Sequence, residues 1–365
     1  MLQVVFKQMR SSILLFCALV LIGCGGDEGE PMKLTPAPTT MYFPSDSGSE
    51  WETVSPLQLG WNESAIEPLK SFLVENNTKS FVLLVNGRIV IEEYFAGHSA
   101  STTWQWNSAG KTLVTSMIGI AQQNELISID DKASAYLGTE WTNMPLEKET
   151  LIQVNHLLTM TSGIDDVRQL VIRENLTYVS DAGSRWAYGN VFQKLIDIVD
   201  VSSNESFEDY FDAQLASQIG MNGFWNVGLI YTIYHSTARD MARFGLLALN
   251  QGQWNDTPVI KLDFFEESIT ATQELNPSYG YMWWLNGKTA YRVPGSQEVF
   301  AGSLVPNAPE DMYAAMGANE QRIYVVPSKD LVIVRQGDAA NPAISTFAVS
   351  GFDNQLWEQL NQLFN

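Results

Sequence analysis

Ser108-Ala109-Gly110-Lys111 opens the segment SAGKTLVTSMIGIAQQNEL and sets a hydroxyl three residues before an amine. Behind the pair, Leu113, Val114, Met117, Ile118 and Ala121 follow the i, i+3, i+4 spacing of a helix with one buried face. Residues three apart share a helical face, so the Lys111 amine can fold back onto the Ser108 hydroxyl. The helix N-terminus adds positive potential and free N–H groups there. A serine is inert until a base removes its proton. To be that base near neutrality, a lysine must fall about 3 units from roughly 10.4, about 4 kcal/mol, which burial and nearby positive potential can supply. Ser-x-x-Lys also fits the start of an ordinary solvated helix, so the pair needs further support. No other lysine in the chain has a serine three residues before it.

The chain's one Tyr-x-Asn, Tyr188-Gly189-Asn190, lies in DAGSRWAYGNVFQKLIDIVD, where a loop of small residues runs into a second amphipathic helix (Phe192, Leu195, Ile196, Val199). A tyrosine beside an amine can shuttle protons between nucleophile and leaving group, and an asparagine two residues on can orient a substrate carbonyl. The plain alternative is a packed loop tyrosine with a capping asparagine. A third segment runs from Tyr313 through Met316-Gly317-Ala318 to Pro327, followed by Leu331–Arg335, and reads as two or three adjoining strands.

In order and kind these segments resemble the serine beta-lactamase and penicillin-binding-protein superfamily, most closely its class C-like branch of esterases and 6-aminohexanoate-dimer hydrolases. The likeness runs from about Ser80 to the C-terminus and includes LLTMTSGI, STARDMARFGLLALNQGQW and YGYMWW. It implies Ser108 as the acyl-accepting nucleophile, Lys111 as its base and Tyr188 as the acid/base serving the leaving group. Asn190, Gly317 and Ala318 fall on the substrate side, with the oxyanion hole formed by the backbone N–H groups of Ser108 and Ala318. One such donor is commonly worth about 3 kcal/mol. The family's Lys-Thr-Gly, which holds a substrate carboxylate, is replaced here by Met316-Gly317-Ala318. Lys288-Thr289-Ala290 is no substitute, because Asn286-Gly287 signals a hairpin turn with Lys288 at its exposed tip. Glu320 stands where relatives tend to have glycine, which puts a charge near the expected substrate edge.

Other hydrolase designs lack their anchors. There is no Gly-x-Ser-x-Gly elbow, and His98, His156 and His235 are scattered with no His-Glu-x-x-His, so neither a metal nor an organic cofactor is expected. His156 reads as a satisfied helix histidine. Asp130-Asp131 and Asp165-Asp166 read as caps at loop and helix boundaries.

Lys7 and Arg10 precede an apolar run, Ile13–Ile22, that ends in Leu21-Ile22-Gly23-Cys24. Charge order and length fit a secretory signal over 1–23, and the run is short for a membrane span. The ending resembles the bacterial lipobox, which implies lipidation of Cys24 and a protein tethered in the cell envelope. Gly25 resembles outer-membrane sorting, facing the periplasm in a Gram-negative host. Loss of Cys17 with the signal would leave no pair for a disulfide. Residues 24–52, poor in apolar side chains and rich in proline, serine and acid, read as a flexible tether.

Residues 53–365 suffice for one large domain, and 45% hydrophobic residues can build its core. A formal charge of −20 argues against nucleic acid and anionic lipid as direct ligands, so any membrane contact is expected through the lipid. β-rich runs at Ser80–Val85 and Arg88–Tyr94 flank Asn86-Gly87, more strands lie near the end, and an amphipathic helix covers Phe352–Phe364. The fold class is therefore α+β: an antiparallel sheet flanked by N- and C-terminal helices, with a mainly helical lobe inserted over about 108–271. The site belongs at their junction, with Trp104, Trp106, Trp186 and Trp225 as candidate lining. The leading expectation is a serine hydrolase acting on small esters or amides. A true beta-lactamase or D-alanyl-D-alanine carboxypeptidase is the rival, and a non-catalytic envelope binding protein the alternative from another class. The sequence leaves the oligomeric state open.

Overall fold

The computed structural model describes residues 35–46, 50–228, 230–343 and 349–365, so the expected signal peptide and Cys24 lie outside the described residues. Strands β1 (Thr78–Val85) and β2 (Arg88–Tyr94) pair directly across Asn86-Gly87. Both turn residues have positive φ, 48° and 77°, as a type I′ hairpin requires. Further along come β3 (Trp284–Leu285), β4 (Tyr313–Gly317), β5 (Gln321–Val326) and β6 (Leu331–Gly337). They complete a six-stranded sheet in the order β2-β1-β6-β5-β4-β3, in which the last long strand returns to pair with the first. The chain's two ends thus build one antiparallel sheet.

Side chains alternate across a strand, so the two sheet faces take different partners. On one face Tyr324 packs edge-on against Trp357 of the C-terminal helix (Gly351–Phe364). On the other, Gly245 of the helix Ala238–Leu249 sits against Ile323 and Val332, where any Cβ would collide. The helix α1 (Ile66–Glu75) lies beside the C-terminal helix.

The insert is less helical than its sequence suggests. It contains α2 (Lys111–Gln123) and α3 (Lys194–Ser203), but also the paired strands Gly223–Val227 and Thr232–Ser236, the second of which pairs in turn with Trp104–Gln105 just before the insert. Runs this short carry too little alternation to stand out. In α2, Lys111 through Ala121 are all buried, so the helix is enclosed all round rather than on one face. Its hydroxyls are satisfied by carbonyls, Thr112 on Ala109 at 2.8 Å and Thr115 on Tyr281 at 3.0 Å.

Two boundary readings need correction. The Tyr42 N–H donates to Asn86, Phe43 packs on Trp254 with ring centres 5.1 Å apart, and Arg243 holds the Ser45 carbonyl at 2.6 Å. Residues 41–46 therefore belong to the domain, and a tether through 52 is too long, because Met41-Tyr42-Phe43 supplies apolar contacts within the proline- and serine-rich stretch. Asn286 is buried and donates to the carbonyls of Val305, Ala308 and Pro309, so Asn286-Gly287 is an internal pin rather than a hairpin tip. The strands on either side pair elsewhere, 284–285 with 313–314 and 290–291 with 300–301. Among the described residues no helix is long and apolar enough to cross a membrane.

Candidate active site

Ser108 lies in a 3-10 turn, Asn107–Gly110, that leads directly into α2. The turn starts from Asn107 with φ 50°, a left-handed conformation that asparagine tolerates better than most residues. The Ala109 N–H closes the turn on the Trp106 carbonyl at 3.1 Å. Ser108, one residue earlier, keeps its N–H outside the helix's own bonding.

The Lys111 Nζ donates to the Ser108 Oγ at 2.8 Å, the contact that the i, i+3 spacing anticipates. Lys111 is only 4% exposed, and burial pulls its pKa from 10.5 to about 7. The faces of Tyr188 and Phe192, 4.6 and 4.4 Å from Nζ, favour the cation. Desolvation outweighs them. No carboxylate among the described residues forms an ion pair with Lys111 that would restore its ordinary basicity.

Tyr188 comes from a loop far along the chain, and its hydroxyl is buried without a well-formed hydrogen bond. Burial pushes the phenol up to about 12, against the opposing influence of the nearby Ser108 hydroxyl and the Arg322 guanidinium. Ser108, Lys111 and Tyr188 open together onto a cavity of about 410 Å³ that Asn190 and Ala318 also line. One amide hydrogen of Asn190 is committed to the Gln169 carbonyl at 2.9 Å.

Gly317 is where β4 meets the serine turn. A Cβ there would lie 2.9 Å from the Ala109 nitrogen and 3.0 Å from the Ser108 nitrogen, so only glycine lets the strand approach this closely. The following turn, Ala318–Glu320, carries Asn319 and Glu320 at φ 58° and 50°. Side chains fasten it in place: Asn107 donates to the Ala318 carbonyl at 2.9 Å, and Arg335 to the Asn319 carbonyl at 2.6 Å. As the first residue of its turn, Ala318 has no earlier turn residue to accept its N–H.

Several expectations need revising. The four tryptophans do not line the cavity; Trp106 and Trp186 are core, and the aromatic lining is Tyr188, Phe192 and Tyr231. Large rings gain more from full enclosure than from a wet wall. Glu320 is buried and does not face the site, since its carboxylate accepts the Ala340 N–H at 2.8 Å beside a different cavity. At φ 50° its backbone lies in the left-handed region that favours glycine. Asp166 is not a cap: it lines the cavity and pairs with Arg185 at 2.8 Å. Gln105, Asn107 and Gln169, which also line it, had no signal beyond lying near motif residues. His156 serves the start of its own helix, its Nδ1 accepting the Gln153 N–H at 3.0 Å, as its apolar neighbours suggested.

No group of acidic, histidine or cysteine side chains suited to a metal occurs among the described residues. A family model for Beta-lactamase matches residues 78–336. No protein with a curated description matches the sequence. Among solved structures, a Bacillus anthracis protein provisionally named a 6-aminohexanoate-dimer hydrolase is 19% identical, with TM-score 0.63 over 90% of this chain and 88% of its own. A class C beta-lactamase carrying a tyrosine-to-phenylalanine substitution is 17% identical, with TM-score 0.57 over 82% of this chain and 97% of its own. An octameric penicillin-binding-protein homologue from Pyrococcus abyssi is 15% identical, with TM-score 0.58 over 76% of this chain and 74% of its own. At these identities the likeness is one of fold.

Proposed function

The chain belongs to the beta-lactamase family, and from that membership and the site geometry we propose that it is a serine hydrolase that cleaves small esters or amides through an acyl-enzyme on Ser108. The observation that carries this reading is the buried Lys111 amine, held near a pKa of about 7 and bonded to the Ser108 hydroxyl. Neutral Lys111 takes the Ser108 proton as Oγ attacks the substrate carbonyl. The oxyanion that forms accepts hydrogen bonds from the N–H groups of Ser108 and Ala318. Tyr188, un-ionised at neutral pH, protonates the leaving alkoxide or amine and recovers its proton from Lys111. Water then attacks the acyl-enzyme, with the same groups returning the proton to Ser108.

Among the described residues that line the cavity, Lys111 is the only cationic side chain. With no second cation to hold a carboxylate, esters and amides without one are preferred over penicillins. Cys24 is proposed as the lipid anchor on sequence grounds alone. A panel of chromogenic short-chain esters, amides, linear aminohexanoate oligomers and penicillins, run with folded Ser108→Ala beside the wild type, tests the proposal. Ester turnover should fall by about 10³-fold or more in the variant. Near-normal turnover by Ser108→Ala excludes the mechanism, and rapid penicillin hydrolysis by the wild type moves the assignment to a beta-lactamase.

A further inference from the structure

We infer that Arg322, held by Asp353, is a positioning residue that aims the Ala318 N–H at the developing oxyanion; this rests on Ser108 being the nucleophile. Arg322 is wholly buried on β5, two residues past the Ala318–Glu320 turn. Its Nη1 donates to the Gly317 carbonyl at 2.6 Å. A trans peptide is planar, with its C=O and N–H on opposite sides. The peptide that points its Gly317 oxygen into the Arg322 guanidinium therefore points its Ala318 N–H the opposite way, and Ala318 lines the cavity. The Asn107 bond to the Ala318 carbonyl fixes the next peptide. Together the two bonds fix the orientation of the donor peptide from both sides.

The guanidinium is itself locked. Its Nε and Nη2 meet the two Asp353 oxygens at 2.6 and 3.1 Å, a fork geometry that lysine cannot reproduce. Asp353 also accepts the Tyr324 hydroxyl at 2.6 Å and the Ser350 N–H at 2.9 Å, at the start of the C-terminal helix. Salt-bridged Asp353 is held below the ordinary carboxylate range despite its burial, and Arg322 is correspondingly held as a cation. The C-terminal helix is thereby coupled to the angle of one peptide in the site. Nη1 also donates to the Gln321 carbonyl at 3.1 Å, but its shorter bond is the one to Gly317.

The test uses Arg322→Lys, Asp353→Asn, Ala318→Pro and the double variant Arg322→Lys/Ala318→Pro, with thermal unfolding, kcat and KM on a short-chain ester, and labelling by a fluorophosphonate. Proline removes the Ala318 N–H, and Gly317 at φ −124° and ψ 161° already has the extended conformation that precedes proline. Arg322→Lys should lower kcat by about 10- to 100-fold with KM within threefold, below the 10²–10³ expected for losing a whole donor. On the Ala318→Pro background, Arg322→Lys should cost almost nothing more in kcat, because the N–H it aims is gone. Additive losses, or a folded Arg322→Lys with wild-type kcat, overturn the inference. If Arg322→Lys does not fold, Asp353→Asn carries the same expectation, and wild-type kcat in that variant overturns it equally. A wild type that is not labelled at Ser108 fails one step earlier, in the assignment of the nucleophile.

Discussion

Lys111→Met removes the proposed base and keeps most of the side-chain volume, and the structure fixes the sign and size of its effect on stability. The folded lysine titrates near 7 and the unfolded one near 10.5. At about 1.4 kcal/mol per pH unit, keeping the amine buried costs the folded state about 5 kcal/mol at pH values below 7. Between pH 7 and 10.5 the unfolded chain holds more protons than the folded one, so wild-type stability from this group rises with pH and levels off above that window. Methionine has no such cost, although it forfeits the bond to Ser108. Lys111→Met should therefore be inactive yet more stable than the wild type by about 2–5 kcal/mol at pH 7, with the gap shrinking by about 1.4 kcal/mol per unit as pH approaches 10. Denaturant unfolding at a series of pH values reads this directly. A variant less stable than the wild type at pH 7, or a gap that ignores pH, would mean that the folded lysine stays charged, and the argument for a neutral base would collapse.

The pH profile of kcat/KM for an ester should rise through one ionisation near 7, where Lys111 loses its proton, and stay flat to at least pH 10 because the Tyr188 phenol is pushed up to about 12. A falling limb between pH 7 and 10 would contradict these roles. Ala318→Pro should lower kcat by about 10²–10³ with little change in unfolding temperature, since it deletes one oxyanion donor at a position that tolerates proline. Wild-type kcat in that variant would remove Ala318 from the oxyanion hole. Expression in a bacterial host with labelled palmitate should lipidate the wild type and leave Cys24→Ala unlabelled, and equal labelling of both would exclude Cys24 as the anchor.

Local chemistry was legible and tertiary placement was not. Ser108 and Lys111 meet through one turn of backbone, so their spacing alone brings them together. The Asn86-Gly87 hairpin is equally local. Tyr188 is separated from them by scores of residues and could be paired with them only through the family resemblance. The cavity walls contributed by Gln105, Asp166 and Gln169 come from loops whose paths depend on the packing of the insert, and nothing in their spacing announces it. Glu320 turns away from the site because its left-handed backbone directs its carboxylate to the Ala340 N–H, a placement that its residue type does not reveal. Arg322 and Asp353 lie 31 residues apart, on a strand and a helix that meet only in the folded sheet. Trp106, Trp186 and Trp225 are enclosed in the core, and Trp186 packs behind Tyr188 with ring centres 6.1 Å apart.

The central claim is a covalent acyl-enzyme at position 108, and intact-mass spectrometry with peptide mapping after reaction with a fluorophosphonate tests it most directly. The account predicts one adduct, on Ser108, that forms faster as pH rises through 7 and does not form in Ser108→Ala. An adduct on another residue, or a folded wild type that hydrolyses esters yet is never labelled at Ser108, would contradict it.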